Sequence, residues 1–376
     1  MTFIRAEKVG ESGLRTTSTI LVLLVILLFS GCAPQKASIQ RYFWPVASEH
    51  PKIEFVGAVS TDRDVRQGEE GWLMETLLGI EEPEPIFVSP YDVASDGKGR
   101  VYVSDIAQND VMILDFAAHK VRHFERPDQD DLFFVSPMGL AVAPDGGVYV
   151  SDNVQGRIYL FDAQGRVKKI FGQNILIRPT GLAFDTVGGR VYVADPGLHQ
   201  IVTFTADGVW QKTLGKRGVA PGEFNYPLDL DVDVEGNLYV LDSMNARVQV
   251  FDTEGSFLRS FGERGTSLGS FQMAKGIAVD RSGHVYVTDA IGHRFVIFDL
   301  MGTHLMTLGG RTTTQGKLGV PGGFDMPKGV DADGTDAIWV VDSLNRMAHR
   351  YQFLNEKYLQ EHPIRPEDVV LPEALQ

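Results

Sequence analysis

The sequence predicts an all-β chain: a six-bladed β-propeller of four-stranded antiparallel blades, preceded by an N-terminal signal segment and a tether. Three observations carry this. An aromatic–Val–x–Asp phrase recurs as VYVSD ending at Asp105 and Asp152, VYVAD at Asp195, LYVLD at Asp242, VYVTD at Asp289 and IWVVD at Asp342, in steps of 47, 43, 47, 47 and 53 residues. A proline stands 15 or 16 residues before each Asp (Pro90, Pro137, Pro179, Pro227, Pro327), with Ala274 in the fifth unit. Three residues before each of these stands Phe87, Phe134, Leu176, Phe224, Phe271 or Phe324. Each unit holds four β-like stretches; in unit four they are LDLDV, NLYVLD, RVQVFD and FLRSF, parted by turn signals such as EGN and TEGS.

A period of 40–50 residues with four short strands is a propeller pattern. A lone four-stranded sheet leaves both apolar faces wet. Stacked around an axis, each sheet covers its neighbours, and the native twist lets them fan out. The composition agrees. The 376 residues are 43% hydrophobic, and 40 glycines and 18 prolines suit a fold with many turns.

The first element in the chain is an export signal. Arg5, Lys8 and Arg15 precede the apolar run ILVLLVILLF at 20–29, about half of what a membrane-spanning helix needs. It ends in FSGC. Ser30, Gly31 and Cys32 resemble the lipobox of bacterial lipoproteins, with Phe29 where Leu is commoner. That resemblance implies cleavage after residue 31 and lipidation of Cys32, the only cysteine of the chain. Ala33 rather than Asp after it implies, in a Gram-negative cell, the outer membrane. Residues 32–52 read as the lipidated terminus and tether, 53–362 as the ring and 363–376 as a C-terminal tail.

Within the ring, the fourth strand of unit six is poorly written. Residues 53–59 are expected to supply it and cover an open sheet edge; EKYLQEH at 356–362 is the competing latch. EGWLMETLLGI at 70–80 reads as a short helix.

The motif FxxPxGhAhDxxGxhYVxDxxNxRhQhF followed by FG is that of NHL repeats. Unit four, FNYPLDLDVDVEGNLYVLDSMNARVQVFDTEGSFLRSFG, matches most of it, and the resemblance spans roughly 87–360. It is specific for fold and nearly silent on function. Some NHL propellers are peptidylglycine-processing lyases whose zinc histidines follow the marker proline. The corresponding residues here are Tyr91, Met138, Thr180, Leu228, Lys275 and Lys328, none of them His. His199 and His293 share a repeat position in a hairpin turn, expected off the axis.

The six repeated Asp residues end strands and begin turns, where a carboxylate accepts turn amides. Arg157, Arg247 and Arg294 follow Asp152, Asp242 and Asp289 by five residues, as cross-hairpin braces. More informative are departures on the inner strands. Two residues past the marker, four units have Gly (Gly139, Gly181, Gly276, Gly329), while units one and four have Asp92 and Asp229. Two residues further, four have Ala, while units four and six have Asp231 and Asp331. Alternation puts both positions on one strand face. Lys275 and Lys328, on adjacent blades, add positive charge at the same mouth.

Two readings of these residues follow. One is a polar funnel that binds a ligand or a hard cation through oxygens, with Asp92 and Asp229 as calcium candidates; it loosely resembles the calcium-dependent lactonases of propeller fold. The other is a water-filled channel whose Asp side chains bond to backbone amides. No cofactor is predicted beyond that calcium. The expected function is a lipid-anchored, monomeric cell-envelope module that binds or scaffolds a protein, peptide or glycan. The loops at 60–86 and 309–323 are its foremost contact elements. The alternative is a calcium-dependent hydrolase or lyase acting in the funnel. A net charge of −14, or −15 once the signal is removed, gives no footprint for nucleic acid.

Overall fold

The computed structural model describes residues 41–46, 48, 50–66, 85–125, 133–312, 321–365 and 368. Cys32, the export segment, the helix expected at 70–80 and much of the loops at 60–86 and 309–323 lie outside the described residues.

Six antiparallel sheets form in chain order. Five are four-stranded, at 90–123, 137–171, 182–214, 227–261 and 274–309. The sixth combines Pro327–Ala332, Ala337–Asp342 and Met347–Phe353 with Ile53–Val59 from the other end of the ring. Ile53 pairs with Phe353 and Val59 with Ala348, so main-chain bonds join the two ends as expected for the N-terminal latch. The competing segment is instead the helix Glu356–Glu361, capped by Asn355.

One difference concerns the tether. Tyr42–Trp44 adds a fifth strand to the sixth sheet, paired with Ile53–Phe55. Trp44 is 8% exposed and packs edge-on against Tyr351. A three-residue strand carries too little periodicity to announce itself; burial of its aromatic side chains holds it.

The described core divides into six hydrophobic clusters, one at each blade interface. Tyr102, Ile113 and Phe124 of blade one meet Phe134, Tyr159 and Phe161 of blade two. Phe295, Ile297 and Leu308 of blade five meet Phe324, Val340 and Tyr351 of blade six, with Trp44 and Phe55 filling the outer end. The apolar markers Phe87, Phe224, Phe271 and Phe324 are fully buried in these interfaces, which is why the repeat retains them.

Each repeated Asp is a completely buried knot. Asp105 accepts the amides of Val88 (2.7 Å) and Ser89 from the preceding loop, and those of Ala107 and Gln108 from its own turn. Asp195 does the same with Ile177, Arg178, Gly197 and Leu198. Arg247 Nε reaches Asp242 at 2.9 Å and Arg294 Nε reaches Asp289 at 3.4 Å, as the spacing predicts. Arg157 Nε instead donates to Gln155. Four residues past each Asp the backbone is left-handed in all six blades, at Asn109, Gly156, His199, Ala246, His293 and Arg346. His199 and His293 therefore occupy a turn position. There their Nδ1 atoms accept the amides of Tyr226 and Met326 in the next blade.

Candidate functional site: the hub

The innermost strands run side by side around the axis, close enough to exclude a β-carbon at key points. A methyl on Gly181 would lie 2.0 Å from Asp229 Oδ1, and one on Gly329 would lie 2.2 Å from Asp92 Oδ1. Glycine in one blade thus makes room for aspartate in the next.

The four predicted carboxylates all face the hub. They share a cavity of about 120 Å³ with Ser95, Ala141, Ala183 and Phe184 among its lining. Each holds a backbone amide of the following blade. Asp92 Oδ2 accepts Leu140 N (2.9 Å), Asp229 Oδ2 accepts Ile277 N (2.8 Å), Asp231 Oδ2 accepts Val279 N (2.7 Å) and Asp331 Oδ2 accepts Ser95 N (2.8 Å). These bonds stitch blade one to two, four to five and six to one.

Burial governs their charge. It pushes Asp92 and Asp231 up to about 7, and their amide bonds only partly offset it. Asp229 and Asp331 are raised for the same reason, with the charge of neighbouring Asp residues adding to it. A calcium ion takes six to eight oxygens. Among the described residues no three His, Cys, Asp or Glu side chains converge to hold a metal. One oxygen of each carboxylate is turned to an amide.

Lys275 and Lys328 lie at the end of the inner strands remote from Asp231 and Asp331, beside Tyr91, so they do not share a mouth with those two carboxylates as the alternation had suggested. Lys275 lines a constriction with Tyr91, Asp92 and Asp229. Lys328 Nζ stands 5.0 Å from the Tyr91 ring centroid. Burial lowers the pKa of both, and Lys275 further lowers that of Lys328. The opposite mouth widens to about 460 Å³ and is lined by Asp96, Asp231, Asp233, Asp331 and Asp333 with Lys98 and Arg281.

Sequence reasoning missed the hub hydroxyls. Ser104 Oγ accepts Asp92 N and donates to Met138 O of the next blade (2.6 Å). Ser151 accepts Gly139 N and donates to Thr180 O, and Thr288 relays Gly276 N to Lys328 O in the same way. The signal was present: a Ser or Thr precedes the Asp in VYVSD and VYVTD, inside an otherwise apolar strand.

Residues 232–308 match the family model DUF5128, described as a 6-bladed beta-propeller. The chain is a six-bladed β-propeller. No curated protein matches this propeller in sequence. Among solved structures, a structural genomics protein from Bacteroides thetaiotaomicron VPI-5482 superposes with a TM-score of 0.58 at 16% identity, over 81% of the propeller chain and 78% of its own. A streptogramin B lyase gives 0.52 at 16%, over 71% and 94%. A catalytically inactive virginiamycin B lyase from Staphylococcus aureus with quinupristin gives 0.51 at 14%, over 71% and 95%. At such identities the likeness is one of fold.

Proposed function

We propose that the chain is an NHL-type propeller, exported and lipid-anchored through Cys32 at the cell envelope, where it binds or scaffolds a protein, peptide or glycan. One observation supports this above the others. Asp92, Asp229, Asp231 and Asp331 each fasten one blade to the next, so the hub is built for rigidity. A ring braced at its centre presents turns and loops on two faces with little loss of entropy on binding. The lyase neighbours in the comparison share the ring. They do not extend their activity to this chain.

The test has two parts. Cys32→Ser should release the full-length protein from membranes; unchanged fractionation would remove the anchor. Asp92→Asn together with Asp229→Asn should leave capture of an envelope partner intact, because both side chains are turned to the amides of Leu140 and Ile277 inside the ring. A substrate turnover that vanishes in that double variant would replace the reading with an enzyme.

A further inference from the structure

Up-and-down strands put two kinds of turn on each face. The connections from second to third strand, and from each blade to the next, share the face where Lys275 and Lys328 open. At the second residue after the repeated Asp, four of these turns end in a large apolar side chain: Val154, Met244, Ile291 and Leu344, exposed by 65%, 56%, 44% and 62%. Tight turns favour Gly, Asn, Asp, Ser and Pro, and an apolar tip in water does nothing for the fold. Val219 and Leu268, in the inter-blade loops beside them, are 73% and 74% exposed.

Several cations on this face stand outside any ion pair. Among the described residues, neither Lys275 nor Lys328 has a carboxylate within ion-pair distance, and the same holds for the exposed Arg217, Arg311 and Arg346. On the opposite face every first hairpin carries a turn-capping carboxylate, one per blade: Asp96, Asp145, Asp185, Asp233, Asp280 and Asp333. An acidic protein has therefore placed unpaired cations, with apolar tips around them, over blades four to six.

We infer that this face is the docking surface, and that its occupant is an extended peptide segment of a partner protein, with apolar side chains flanking a carboxylate that seats between Lys275 and Lys328. The inference rests on the binding-module reading and adds the face and the chemistry. Apolar anchors at the turn tips supply contact area, and the recessed ammonium pair supplies register. A flat bilayer holds its headgroups at one level, whereas a peptide can lower one side chain into a narrow mouth between the turns.

The test is photo-crosslinking in cells of the full-length protein, with p-benzoylphenylalanine placed in turn at Met244, Ile291 and Leu344, and at Val234 and Met301 on the opposite face. Val234 and Met301 are equally exposed controls. The expected result is a protein adduct at the first three positions only. Mass spectrometry should place it in a partner segment carrying Asp, Glu or a C-terminal carboxylate beside apolar residues. Lys275→Gln with Lys328→Gln should lower the adduct yield about tenfold, the loss of one well-placed charge contact. Adducts to lipid alone, adducts equal on both faces, or none at Met244, Ile291 and Leu344 would overturn the inference. Should a partner co-purify but never crosslink at these turns, the binding-module reading stands and the face assignment falls.

Discussion

Asp229 in blade four and Ile277 in blade five are joined by a hydrogen bond of 2.8 Å, from a backbone amide to a buried carboxylate. The same bond recurs between Asp92 and Leu140, at 2.9 Å, on the opposite side of the ring. The two Asp side chains thus reach sideways from one inner strand to the next. This arrangement makes the hub sensitive to protonation and to volume.

Acidity is the first consequence. Burial raises the Asp92 and Asp231 carboxyls to about 7, from an unfolded value near 4. Between those values the native state holds more protons than the unfolded one, so stability falls as pH rises through the window. The melting temperature should drop from pH 5 to pH 8. Asp92→Asn mimics the protonated acid and keeps an acceptor for Leu140. It should melt like the parent near pH 4 and be more stable at pH 8, by on the order of 4 kcal/mol at most. A pH-independent melting curve in the parent would contradict this.

Volume is the second. A methyl on Gly329 would stand 2.5 Å from the Asp92 backbone as well as against its carboxylate, so the strand itself must move. Gly329→Ala should cost about 1–3 kcal/mol by overpacking. Gly57 has no atom within 4 Å of its added β-carbon, and Gly57→Ala should lose nothing. Urea denaturation of the pair separates a steric hub from a general intolerance of alanine.

The repeated Asp offers a third test. Asp242 is fully buried and accepts from Asn225 N at 2.6 Å, Asn245 Nδ2 at 2.7 Å and Arg247 Nε at 2.9 Å. Asp242→Ala strands those donors and should cost about 3–5 kcal/mol. Arg247→Ala removes one partner of a carboxylate that retains others, and should cost less. Equal losses in denaturant titrations would mean that the ion pair, rather than the amide bonds, holds the turn.

Ring closure gives the fourth. Trp44 fills the interface of blades five and six from the N-terminal side. Trp44→Ala should cost about 3–5 kcal/mol. Hydrogen exchange should rise along Ile53–Val59 and Met347–Phe353 before other blades respond. Uniform exchange across all six blades would show that the latch is not a separate weak point.

Much of this was legible beforehand because it is local. The alternation in VYVSD marks a buried strand wherever it occurs, and Gly then Ala, two and four residues past Pro137, Pro179 and Ala274, marks crowding near an axis. Asp92, Asp229, Asp231 and Asp331 stood out as departures from that rule. Tyr42–Trp44, within the expected tether, is a strand only because Tyr351 and Phe55 stabilise it, and no window around residue 43 contains them.

What the sequence determined by itself is the number of blades, their strands and the residues that face the hub, since spacing and alternation are short-range and each blade repeats them. What tertiary structure alone decided is the use of those residues. Leu140 and Ile277 lie 48 positions beyond the carboxylates they bond, and Ser95 is 236 away from Asp331. A donor so distant is chosen by how the blades stack, and among the described residues stacking also left Lys275 and Lys328 outside any ion pair while every hub Asp found an amide.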